Sequence, residues 1–270
     1  MRSSTSLVLA TALAGVSASP KATSTAISIP SRAPQDAGVP LENFVSFSIE
    51  LSYFPDFAGN LSNPNTFSNN LLDNIAAYSG SKPYIRVGGS SQDNAIFDAS
   101  QERATILHFA TPTSDQPSNL TFGPKFFESY HTWPGTTFSH GFNLKANTTA
   151  AHDALLASVP YACKSLRGQL LAWELGNEAD LYTVFLGSPP ARPASYRHVE
   201  YVDEWLTLTR AIRTRMQRAC PDLASDVLFK WYAPSFAGPQ PALPISMDAV
   251  RTWEAGLDTD RDLKVWAAHQ

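Results

Sequence analysis

The sequence predicts an α/β fold of the (β/α)8 barrel type, present in part, with about six of the eight strand–helix units. Three observations lead there. From about residue 40 onward, short apolar runs alternate with longer amphipathic ones and no block of strands stands alone, which is the pattern of a parallel sheet covered by helices. The first strand runs into Glu50-Leu51-Ser52-Tyr53-Phe54-Pro55 without the Gly-x-Gly-x-x-Gly turn that an open doubly wound sheet usually carries there. The chain has 270 residues, 43% hydrophobic and 16% charged, so it can bury a large core and is not disordered over most of its length.

Each element has its own local reason. Residues 44–50 alternate as a strand. Residues 67–78 carry Phe67, Leu71, Leu72 and Ile75 at helical spacing, and Gly80 stands where a helix C-cap would. Pro83-Tyr84-Ile85-Arg86-Val87 is a second strand entering Gly88-Gly89. A long polar connection to about residue 122 follows, then a helical stretch over 125–133 and a third strand over 138–144. Thr149 is placed to cap a helix bearing Ala151, Ala154, Leu155 and Val159, which Pro160 should break or kink. Residues 169–175 form a fourth strand. Residues 196–218 give the clearest helix, with Val202, Trp205, Leu208, Ile212 and Met216 on one stripe and Pro221 beyond its end. A fifth strand is expected over 227–232, a helix over 245–257 and a sixth strand over 263–268.

Composition excludes several function classes. Lys plus Arg number 20 against 24 Asp plus Glu, a net charge of -4, so no basic footprint for nucleic acid exists. Two cysteines cannot build a disulfide-dense scaffold or a four-cysteine zinc site. Arg2, the apolar run Leu7 to Val16 and the small residues Val16-Ser17-Ala18 read as a signal peptide over 1–18, cleaved near Ala18. The run is too short for a bilayer, which needs about 20 apolar residues. Residues 19–40 then form an N-terminal tail, and 41–270 the barrel domain of a secreted, extracellular protein with no membrane association. In that compartment Asn60, Asn119 and Asn147 head glycosylation triplets. Cys163 and Cys220 are either a disulfide pair or two unrelated buried thiols.

The chemistry-bearing motifs are few. His-Glu-x-x-His and Cys-x-x-Cys are absent, and Gly88-Gly89-Ser90-Ser91-Gln92 lacks the closing glycine of a nucleophile elbow. No metal or organic cofactor is implied. Asn177-Glu178 stands apart because it directly follows the fourth strand, and barrel enzymes collect catalytic groups at the C-terminal ends of their strands. A glutamate there can protonate a leaving oxygen, and the asparagine amide can meet a sugar hydroxyl. Without that position an Asn-Glu dipeptide is an ordinary loop feature.

Trp173 through Tyr182, with Ile85-Arg86-Val87-Gly88-Gly89 and Ser46-Phe47-Ser48-Ile49-Glu50, resembles glycoside hydrolase family seventy-nine, the β-glucuronidase and heparanase group. Phe54-Pro55-Asp56-Phe57-Ala58-Gly59-Asn60 and Asn65-Thr66-Phe67-Ser68 resemble its secreted fungal members. The resemblance spans roughly residues 42–270. It implies a retaining mechanism on a carbohydrate substrate containing glucuronic acid, with Glu178 as acid/base and Asn177, Arg86 and His269 lining the cleft. Ala179 departs from the family, which commonly has proline there.

A retaining mechanism needs a second carboxylate about 5–5.5 Å from the first. The resembled family places it after a seventh strand, followed by an eighth and an appended β-sandwich. At about 30 residues per strand–helix unit, three units beyond Glu178 reach residue 270 or later. No local substitute serves: Glu174 lies about 13 Å back along an extended strand, Asp180 shares the loop of Glu178, and Asp248, Glu254, Asp258, Asp260 and Asp262 belong to the last helix and its surroundings. The expectation is the N-terminal part of a glucuronidase-like hydrolase, inactive by itself. The alternatives are a non-catalytic carbohydrate-binding relative and an unrelated secreted barrel hydrolase. An in-frame strand ending in glutamate beyond codon 270 would separate the first two.

Overall fold

The computed structural model describes residues 31, 32, 34, 44–186, 189–239, 243–245 and 247–269. The signal peptide over 1–18 and most of the tail over 19–40 lie outside the described residues. Contacts divide the chain into residues 1–39 and residues 40–270, and every strand and helix named here belongs to the second unit.

Six strands form one curled, wholly parallel sheet with the shape of a half-barrel. They are β1 (Ser46–Glu50), β2 (Tyr84–Gly88), β3 (Phe138–Phe142), β4 (Leu170–Leu175), β5 (Trp231–Phe236) and β6 (Leu263–Ala268). Each pairs with its neighbour in chain order. Parallel neighbours need crossover connections, and helices supply most of them: α1 (Thr66–Ser79), α2 (Thr149–Ser165), α3 (His198–Ala219) and α4 (Ala249–Glu254).

Helix ends follow cap chemistry more closely than apolar spacing does. Asn65 opens α1 by accepting from the Ser68 N–H at 3.2 Å, and Gly80 closes it with φ 87°. The cap of α2 is Thr148, not Thr149, because the Thr148 hydroxyl is the one three residues before the Ala151 N–H that it meets at 3.2 Å. Pro160 does not end α2, which continues to Ser165. An interior proline costs about 3 kcal/mol, and burial of Val159, Ala162 and Cys163 beside it offsets that cost. Helix α4 is shorter than its apolar letters suggest: Asp248 caps it by accepting from the Arg251 N–H, and Gly256 with φ 97° lies just beyond its end. On α3 the expected stripe is buried throughout, with Trp205 and Ile212 fully inaccessible.

Three other expectations change. The polar connection after β2 holds a three-stranded sheet, Ala95–Phe97, Thr105–His108 and Asn119–Phe122, with the last in the middle. These segments are too short for periodicity to register, yet alternate residues Ala95, Phe97, Leu120 and Phe122 are buried. The fifth strand begins at Trp231 instead of Val227. Val227 is 79% exposed, next to a turn in which the Leu228 and Phe229 N–H groups bond back to Ser225 O. The stretch expected as a helix over 125–133 is a 3-10 helix over Pro124–His131. Its Phe126 and Tyr130 pack with Phe54, Trp133 and Phe138 into a fully interior aromatic cluster.

Cys163 near the end of α2 and Cys220 at the end of α3 are joined in a disulfide, with Cα atoms 6.2 Å apart across 57 residues. Asn60, Asn119 and Asn147 are all exposed.

Candidate active site

Alternate residues of each strand face inside a curled sheet, and here the inward residues near the strand ends are polar. Arg86 on β2 is 9% exposed, and each of its three guanidinium nitrogens donates a hydrogen bond. Nε and Nη2 donate to the two carboxylate oxygens of Glu174 on β4, at 2.8 and 3.0 Å. Nη1 donates to the Ser48 hydroxyl on β1 at 3.0 Å, and Nη2 also donates to Asn177 Oδ1 at 2.7 Å. The Ser235 hydroxyl on β5 completes the set by donating to Glu174 at 2.5 Å. The planar fork of arginine matches a carboxylate in two parallel bonds, so one cation locks three strands and the residue beside Glu178.

Glu174 is therefore the buried partner of Arg86, with its two oxygens bound. Asp180 is also engaged: it accepts from the Ala237 and Gly238 N–H groups at 2.9 and 3.1 Å, and burial pushes its carboxyl up to about 6.

After β4 the chain turns sharply through Gly176, whose φ is 80°. A Cβ there would stand 2.9 Å from the Leu144 side chain, so both conformation and space require glycine. Asn177 follows, 6% exposed. Glu178 has left-handed backbone, φ 53° and ψ 46°, a conformation uncommon for any residue but glycine, and its N–H donates to Ser235 O at 2.8 Å. Its side chain is 30% exposed and its Oε1 lies 2.9 Å from Nδ1 of His269, just past β6. Glu178 and Asn177 line an open cleft of about 300 Å³ together with Ser90, Asn94, Lys145 and Val184.

The structure thus brings Glu178, Asn177, Arg86 and His269 into one connected constellation at the C-terminal ends of the strands. Arg86 reaches the site through Asn177 and Glu174. The cysteines form their bond at helix ends instead. Sequence reasoning missed Ser48, Ser235 and Asp93. The Asp93 carboxylate accepts from the Asn177 N–H at 3.1 Å and the Tyr182 hydroxyl at 2.7 Å. No local pattern marks it, since those partners stand 84 and 89 residues away in sequence. Among the described residues no group of three His, Cys, Asp or Glu side chains is arranged to hold a metal ion. Nor is any helix among them long and apolar enough to cross a membrane.

The arrangement offers a partly exposed carboxyl with an imidazole partner, an oriented amide beside it and a cleft in front. That set can exchange a proton with a bound oxygen while hydrogen-bonding a neighbouring hydroxyl.

Comparison with known proteins adds three likenesses, although no protein-family model matches the chain. A β-glucuronidase from Aspergillus niger is 51% identical over 249 residues, which are 91% of this chain and 44% of that protein. One from Neurospora crassa is 46% identical over 231 residues, 84% of this chain and 40% of that protein. In structure, a 4-O-α-L-rhamnosyl-β-D-glucuronidase from Fusarium oxysporum, solved as a Rha-GlcA complex, superposes with a TM-score of 0.66 and 26% identity. That match covers 90% of this chain and 48% of the other. The chain spans less than half the length of each relative, and all three likenesses point to glucuronidase-type glycosidases.

Proposed function

We propose that the chain carries the acid/base half of a retaining glycoside hydrolase of family seventy-nine, acting on β-linked glucuronic acid in a glycan or glycoconjugate. The observation that carries this is Glu178: a partly exposed carboxyl at the end of β4, held in left-handed backbone and bonded to His269 at the mouth of a cleft. Similarity to proteins named β-glucuronidase supports the choice of sugar.

In this reading the Glu178 carboxyl gives its proton to the glycosidic oxygen as the bond from that oxygen to the anomeric carbon breaks. A second carboxylate forms the new bond to that carbon, giving a covalent glycosyl–enzyme. Glu178, now the base, takes a proton from water, whose oxygen displaces the carboxylate. Asn177 presents its amide to the hydroxyl next to the reacting carbon. Its Oδ1 is occupied by Arg86, which leaves the amide N–H groups as the side chain's free donors for that contact. The nearby carboxylates Glu174, Asp180 and Asp93 are bound to other partners. The nucleophile of this reading therefore belongs to a strand beyond β6 in a completed eight-unit barrel, and the protein is secreted, with the disulfide and exposed glycosylation triplets in keeping.

Two measurements on these 270 residues test it. Titration with an aryl β-glucuronide should perturb the nuclear magnetic resonance signals of Asn177, Glu178 and His269, and an absence of perturbation would sink the glucuronide reading. Hydrolysis of the same compound should stay at background in the wild type and in Glu178→Gln. Turnover that Glu178→Gln abolishes would show that the nucleophile lies within these residues and would overturn the half-site reading.

A further inference from the structure

A buried carboxyl stands next to the site without a part in the chemistry above. Asp93, on the loop after β2, is 5% exposed. Its Oδ2 accepts from the Asn177 N–H at 3.1 Å and the Tyr182 hydroxyl at 2.7 Å, and its Oδ1 from the Leu144 N–H at 3.4 Å. Burial pushes the group up to about 7, and the bonds from Tyr182 and Asn177 and the charge of Lys145 pull against that. A carboxyl in such a place is costly unless what it holds repays the desolvation.

What it holds is a single turn. Asn177 precedes Glu178 and Tyr182 follows it by four residues, so Asp93 grips both sides of the segment bearing the proton donor. The opposite side is tied to β5 and its loop, through the Glu178 N–H on Ser235 O and Asp180 on the Ala237 and Gly238 N–H groups. Left-handed backbone in a non-glycine residue is strained and persists only where the surroundings over-determine it. The two sets of ties supply that constraint from opposite sides of Glu178.

We propose that Asp93 is a positioning residue for Glu178: by clamping Asn177 and Tyr182 it sets the turn that aims the Glu178 carboxyl at His269 and the cleft. This rests on the proton-donor reading of Glu178, but its test does not. Replacing Asp93 by Asn puts an amide nitrogen, which accepts nothing, among three donors. Tyr182→Phe keeps the ring and removes one bond, so it carries the test where Asp93→Asn does not fold.

The readout is the His269 ring signals in nuclear magnetic resonance, with Glu178→Gln as the reference for a lost carboxylate. Asp93→Asn and Tyr182→Phe should each move those signals toward their Glu178→Gln positions. The control Asp226→Asn, at an exposed ion pair with Arg213, should leave them in place. Wild-type His269 signals in a folded Asp93→Asn or Tyr182→Phe would overturn the proposal, as would a Glu178→Gln variant that itself leaves His269 unmoved. Failure of the proposed function would appear elsewhere, in the glucuronide titration and the hydrolysis assay.

Discussion

Arg86 shows how a single side chain can be legible as important and illegible in its role. Its position at the end of a strand next to Gly88-Gly89 marks it, but Glu174, Asn177 and Ser48 are brought to it only by folding. Removing one partner of a buried ion pair strands the other charge, at about 3–5 kcal/mol, whereas replacing both is much milder. Arg86→Met should therefore lower the stability measured by urea unfolding by that order, and Arg86→Met combined with Glu174→Met should recover most of it. Equal losses in the single and double variants would mean that Arg86 acts by packing and not by charge.

Among the elements, α2 and α3 are the pair whose union matters most for stability. The disulfide closes a loop of 57 residues between their ends. Chain-entropy arguments assign such a loop about 4 kcal/mol. Cys163→Ser with Cys220→Ser should lower the urea midpoint and steepen its slope, since the released unfolded chain exposes more surface, and an unchanged midpoint would refute this. At the other end of the scale, Asn65→Ala removes one cap bond from α1 and should cost about 1 kcal/mol. The helices were readable because caps and stripes are local. Strand β5 starts later than its sequence pattern predicts because Val227 and Leu228 look like strand residues while Pro234, inside the strand, looks like an interruption.

For the whole molecule, two properties follow from the sum of its parts. Burial raises Asp93 to about 7 and Asp180 and Asp262 to about 6, against an unfolded value near 3.9. A raised carboxyl contributes stability that is complete below its unfolded value and lost as pH rises through its folded one. His140, which burial lowers to about 3, works in the opposite direction over the range from 3 to about 6.5. Between about pH 4 and 6, three carboxyls outweigh one imidazole, so stability falls as pH rises. The urea midpoint should be higher at about pH 4.5 than at about pH 6.5, and the reverse order would contradict these assignments. The second property is exposure. Among the described residues β1 and β6 each pair on one side only, and Phe44, Phe47 and Trp266 are 76%, 45% and 45% exposed near those edges. Unpaired strand edges flanked by apolar side chains invite association. These 270 residues alone should bind a hydrophobic dye and elute beyond monomer size in gel filtration, and a monodisperse monomer without dye binding would contradict this.

What the sequence by itself determined is the alternation of strands and helices, the parallel sheet which that alternation implies, and the dipeptide Asn177-Glu178 after the fourth strand. All three rest on short-range physics: hydrophobic period, caps, and the need of parallel strands for crossovers. Only the tertiary structure decided that Arg86 answers Glu174 across 88 residues, that Glu178 meets His269 across 91, and that Asp93 ties down the turn between them. The reason is physical. A buried charge is tolerated only where partners surround it, and those partners come from different strands that no window along the chain contains.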